Sequence, residues 1–183
     1  MDPNDPWSIP PVVKQGDAEP STVWRAVGEA LTNWEWVEGH LALLFNEMVS
    51  PATWSAPAHR AYGSIVAYAG RADLIKSAAE TFFLVHPDTA WLQAKFDTTM
   101  KLLGRASPRR NDIAHGIVQP LHPEGDGFAL YPSFYATRRR DVAGLPAYAM
   151  SSVQIGRFGQ QFFELQMPVK EIVDGLAAKR LAR

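Results

Sequence analysis

Cysteine is absent from the chain. That excludes disulfides, thiolate zinc sites and cysteine nucleophiles together, and it fits a reducing compartment. Long apolar runs are absent as well, and nothing approaches the roughly 20 residues that a membrane helix needs. The N-terminal MDPNDPWSIPP lacks the basic start and apolar core of a signal peptide, so the expected location is the cytoplasm, with no membrane partner. The five histidines (40, 59, 86, 115 and 122) form no metal-spaced pair. Glu35, Glu38 and His40 lack the paired Glu-x-x-His spacing of di-iron bundles. No metal and no cofactor is expected. Gly-x-Ser-x-Gly and glycine-rich phosphate loops are missing too, which removes the nucleophile elbow and the nucleotide cradles.

Net charge is also small, −1 over 183 residues, but it is unevenly spread. Residues 1–100 carry net −6, residues 101–140 net +4 and residues 141–183 net +1. The positive charge gathers at Lys101, Arg105, Arg109, Arg110, Arg138, Arg139 and Arg140. Such a patch is either the footprint of a phosphate-bearing partner or a solvated face. Hydrophobic residues make up 46% of the chain, enough for one domain with a sizeable core.

Residues 1–20 hold five prolines and read as an extended arm that drapes over the domain or a neighbour. Residues 21–183 read as a single domain. Ser21 or Thr22 can cap a long helix whose seam is Trp24, Val27, Leu31, Trp34, Glu38, Leu41, Phe45 and Met48, ended by Pro51. Glu38 on that stripe needs a partner or a raised pKa; it is either a structural ion pair or a carboxylate supporting a site. A second helical region spans about 57–85, with Tyr62, Ile65, Val66, Ala69, Leu74, Ile75, Ala78, Phe82 and Val85 inward and a bend at Gly70. A third starts near Asp88 and carries Trp91, Ala94, Thr98 and Leu102. Ser107–Pro108 is a helix-start signal, so 108–115 is either a short helix or a kinked continuation of the third, stopped at Gly116. Residues 117–150 change character: IVQPL and GFALYPSFY flank HPEGDG, which predicts an antiparallel hairpin or three-stranded flap. A last helix from Ser151 or Ser152 turns Ile155, Phe158, Phe162 and Leu165 inward, then Ile172, Val173 and Leu176, with Pro168 kinking or dividing it.

The chemistry concentrates in Arg109-Arg110-Asn111-Asp112-Ile113-Ala114-His115-Gly116. Asn111 and His115 share a helix face. Arg110 points about 140° away from His115, yet a long side chain in a first turn can swing across. A helix N-terminus there would add free N–H groups and positive dipole for an anion. His115 is a proton carrier or a packed, capping histidine; Arg110 is a phosphate ligand or half of a surface ion pair. Tyr131, Phe134 and Tyr135 are core or base-stacking residues.

Arg110–Asn111–Asp112–Ile113–Ala114–His115 resembles the Arg-x4–6-His motif of the HEPN superfamily, often with Asn directly after the arginine. The resemblance covers roughly 21–116 and 151–180. It implies a mainly α fold, a four- to five-helix bundle, here with a small β hairpin inserted before the last helix. It implies a homodimer pairing two motifs in one cleft, with Arg110, Asn111 and His115 catalytic. The activity implied is metal-independent RNA cleavage in a toxin or phage-defence effector, with an antitoxin or regulatory protein as a further partner. RNA supplies its own nucleophile, the 2′-OH; histidine moves protons near neutral pH, and arginine binds the phosphorane oxygens. Arg105, Arg109, Lys101 and Arg138–Arg140 would hold phosphates, and Glu38 would support the site. The alternative within the family is a non-catalytic module that binds nucleotide, RNA or protein.

Overall fold

The computed structural model describes residues 5–50, 54–121, 125–141 and 143–181. The fold is mainly helical, with one two-stranded antiparallel sheet among these residues. The elements run α1 (Pro20–Val49), α2 (Ala56–Gly63), α3 (Tyr68–Val85), a 3-10 turn (Pro87–Thr89), α4 (Ala90–Ala114), β1 (Gly116–Pro120), β2 (Phe128–Pro132), a second 3-10 turn (Thr137–Arg139) and α5 (Ser152–Leu181). No helix is long and apolar enough to cross a membrane among the described residues. The chain divides into two compact units. The first joins the stretch up to Trp34 to Arg105–Phe162, and the second joins Glu35–Gly104 to the stretch from Phe163 on.

In the first unit, Val23, Ala26, Ala30 and Trp34 of α1 are buried, together with Ile155, Phe158 and Phe162 of α5. The α1 seam therefore enters one residue earlier than its large side chains suggest, and Trp24 is 60% exposed. The reason is close helix approach. A Cβ on Gly159 would come within 3.2 Å of the Ala30 Cα, and the Asn33 amide donates to the Gly159 carbonyl at 3.1 Å. Only small residues fit there, so alanine takes the inward position and tryptophan turns out. Trp34 meets Phe162 edge-on at 5.3 Å.

The proline-rich arm packs on its own unit. Trp7 stacks on Phe158 and Phe162, with centroids at 6.4 and 5.8 Å. Farther along, the amides of Gly16 and Asp17 donate to the carbonyls of Asp126 and Phe128, and the Phe128 amide returns a bond to the Asp17 carbonyl. Gly16 is required there, because a Cβ would sit 2.4 Å from the Phe128 oxygen. The hairpin pairs Gly116 with Pro132 through Pro120 with Phe128; Met150 adds a single third-strand rung on Leu130. Asp17 then accepts from both the amide and the hydroxyl of Ser152 at 2.8 and 2.5 Å, capping α5. The turn at 122–124 lies outside the described residues.

In the second unit, the predicted 57–85 helix is two. The Ser64 hydroxyl takes the Ala61 carbonyl at 2.8 Å and competes with the helix ladder. The break falls there rather than at Gly70, and Val66 is 93% exposed. Ala72, Ile75, Ala79 and Phe83 are the buried residues of α3, while Leu74, Ala78 and Phe82 are half-buried and Val85 is exposed. On α4 the register also moves by one: Leu92, Phe96, Thr99, Met100 and Leu103 are buried and Trp91 is 67% exposed. Helix α5 runs unbroken through Pro168 and buries Leu165, Val169, Ile172 and Leu176. The Pro51 stop lies outside the described residues.

Candidate functional site

Helix α4 continues through Pro108 to Ala114. Ser107 is buried inside it rather than capping a new helix. Arg110 and Asn111 thus lie in the last turns of a 25-residue helix, not in the first turn of a short one. Their amides are not free to bind an anion, and the local end of the macrodipole is negative. Any positive field must come from side chains.

Pro108, Asn111, Asp112 and His115 form one face of this helix end. Opposite them stand Ser133, Tyr135, Ala136, Arg138, Arg139 and Tyr148, and together they line an open cavity of about 410 Å³. The cavity lies wholly within the first unit.

Asp112 organises it. The carboxylate is buried; Arg109 lies 2.9 Å from Oδ2 and Arg139 donates to Oδ1 at 2.7 Å. The Tyr148 hydroxyl donates to the Asp112 carbonyl at 3.1 Å. Burial pushes the Asp112 carboxyl above the ordinary aspartate range, against the pull of Arg109 and Arg139. Burial likewise lowers Arg109 and, with Asp112, raises the Tyr148 phenol. Arg140 fastens the loop from the other side, donating to the carbonyls of Pro132, Gly144 and Ser133 at 2.8, 2.8 and 3.3 Å and lying 5.2 Å over the Phe134 ring. Gly116 completes the corner: a Cβ there would meet Leu130 Cγ at 2.6 Å.

The basic residues named from sequence therefore divide. Arg105 pairs with Asp5 of the arm. Arg109 and Arg139 share Asp112, and Arg140 binds carbonyls. Arg109 is itself buried, which removes it from a surface that meets RNA. Lys101 lines a cavity of the second unit, about 540 Å³, floored by Phe83, Phe96 and Met100. Arg138 is exposed and has no hydrogen-bond or ion-pair partner among the described residues. Arg110 is half-buried, donates to Asn111 Oδ1 at 3.0 Å and does not line the cavity. His115 is exposed and lines it. Glu38, in the second unit, is held by Arg71 at 3.1 Å and by the Tyr62 hydroxyl at 2.7 Å. It is a structural ion pair there.

Of the three aromatics, Tyr131 packs on the hairpin cluster of Leu121, Ala129 and Ala149. Phe134 lies beneath Arg140, while Tyr135 is 79% exposed and lines the cavity. Asp112, Ser133 and Tyr148 were not singled out by sequence. The Arg109–Asp112 spacing is an ion-pair spacing on a helix and was the available signal for the first of them; nothing local marks the other two. The buried Ser133 hydroxyl has no hydrogen-bond partner among the described residues. No three His, Asp or Glu side chains come together in a way that could hold a metal ion, again among the described residues. With imidazole and amide on the helix side and guanidinium and phenol on the loop side, the cavity can bind a phosphate, stack an aromatic ring and move a proton beside both. Comparison with protein-family models, curated proteins and solved structures finds no match.

Proposed function

We propose that the chain is a metal-independent endoribonuclease of HEPN type that acts as a homodimer, in the manner of a toxin or phage-defence effector. The observation that carries the reading is the placement of Asn111 and His115 together with Arg138 and Arg139 in one open cavity. His115 takes the proton of the RNA 2′-OH. The oxygen attacks phosphorus, the bond to the 5′ oxygen breaks, and a second histidine, from the other subunit, protonates that oxygen. The products are a 2′,3′-cyclic phosphate and a 5′-hydroxyl. Arg138 neutralises the non-bridging oxygens, with Arg139 held toward the same wall by Asp112. Arg110 orients Asn111 within its own chain.

Labelled total RNA incubated in EDTA with the wild type, Arg110→Ala and His115→Ala tests this. The wild type alone should cut and leave cyclic phosphate ends. Full activity in His115→Ala would sink the assignment. The second reading, a non-catalytic module that binds nucleotide, RNA or protein, draws on the position of Arg110 outside the cavity lining. It takes precedence if no variant, wild type included, cuts RNA that it binds.

A further inference from the structure

Tyr135 is a large aromatic side chain, 79% exposed, on a segment in which Phe134, Arg139 and Arg140 are tied down. Arg139 holds Asp112, and Arg140 binds three carbonyls and covers Phe134. The backbone turns of the loop are closed as well: the Ala136 amide donates to Ser133 and the Arg139 amide to Ala136, at 3.0 and 2.8 Å. Among the described side chains of this loop, Tyr135 and Arg138 are left exposed and unpartnered, and both line the cavity that contains His115. A rigid loop presenting one ring and one guanidinium is preorganised, so ordering it on binding costs little.

We infer that Tyr135 and Arg138 form the nucleotide-reading pair of this site, Tyr135 stacking on an unpaired base and Arg138 holding the neighbouring phosphate, so that the site selects single-stranded over duplex RNA. The inference rests on the RNA-cleaving reading for its substrate and assigns specificity to the 133–140 loop rather than to α4. Every base has a π-face, so stacking tolerates sequence, but a base inside a duplex has both faces covered by its neighbours. The apolar walls Pro108 and Ala136 suit a base. The volume, about 410 Å³, falls among small-ligand sites.

The test uses the full chain carrying His115→Ala, which separates binding from cleavage. The probe is a fluorescein-labelled 12-nucleotide RNA of mixed sequence, alone and annealed to its complement, followed by anisotropy. The single strand should bind at least tenfold tighter than the duplex. Tyr135→Ala should weaken single-strand binding about 5- to 150-fold, the equivalent of one base stack of ~1–3 kcal/mol, while Tyr135→Phe retains it. Arg138→Ala should weaken both forms and lower the salt slope of single-strand binding by about 0.7. In the chain with His115 intact, Tyr135→Ala should raise KM more than it lowers kcat. Unchanged binding in Tyr135→Ala, equal affinity for duplex, or no binding at all overturns the inference. A wild type that cuts RNA with a Tyr135-independent KM overturns the inference and leaves the nuclease standing. Tyr135-dependent binding without cleavage does the reverse.

Discussion

Asp112 joins two arginines, one a turn before it on α4 and one 27 residues later in the loop. Asp112→Ala would strand the buried Arg109 guanidinium, and a loss of about 3–5 kcal/mol is expected from urea unfolding. Asp112→Asn keeps an acceptor oxygen and should lose less. The pH dependence has a defined sign. Burial raises the native Asp112 carboxyl, so the folded state binds this proton more readily than the unfolded one. Its contribution is fully present below the ordinary carboxylate value and is lost as pH rises through the raised native value. Asp5 has the opposite sign: hydrogen bonds from Arg105 and the Trp7 amide lower it, so its contribution is present above the ordinary value and lost as pH falls through the depressed one. A carboxyl-detected NMR titration should find Asp112 titrating above Asp5; the reverse order would refute the burial argument. His115 is exposed, so His115→Ala should change stability by no more than ~0.5 kcal/mol while lowering cleavage by about 10²- to 10⁴-fold. Parallel unfolding and cleavage assays separate the two effects.

Two elements depend on contacts that a local pattern does not carry. The start of α5 is capped by Asp17 from the arm. Asp17→Ala should cost about 0.5–2 kcal/mol and release the arm, which hydrogen exchange at Gly16 and Phe128 would report. The corner between α4 and β1 depends on Gly116, whose added Cβ would strike Leu130; Gly116→Ala should cost about 1–3 kcal/mol as overpacking. Where the apolar spacing matched the buried face, as for Ile155, Phe158, Phe162 and Leu165 of α5, the inward side chains are themselves the large ones, and Gly159 alone supplies the close approach to α1. Where it missed by one residue, at Trp24 and Trp91, small or slender residues took the inward place. Hydrophobicity ranks tryptophan first, but at Ala30 the spacing between backbones decides. The hairpin was legible because Gly, Asp and Pro punctuate two β-prone runs. The break after α2 was not, since it turns on a serine hydroxyl competing for a carbonyl.

For the molecule as a whole, the proposed chemistry needs two chains. Sedimentation should find a homodimer at working concentration, and specific activity should fall on dilution through its dissociation constant. A monomer with undiminished activity would remove the composite cleft. The mainly helical class, the position of the hairpin, and the Asn111–His115 spacing that puts an amide and an imidazole on one helix face are all written in the order of residues. Those follow from periodicity and turn chemistry, which act over a few residues. That the motif sits at the end of a long helix, and which arginines are engaged, follows instead from long-range packing. The partners of Arg105 and Arg139 are Asp5 and Asp112, distant in sequence. A run of basic residues records charge but not whether folding has already neutralised it, so Arg138 emerges as the exposed cation of its cluster only once the loop is folded against α4.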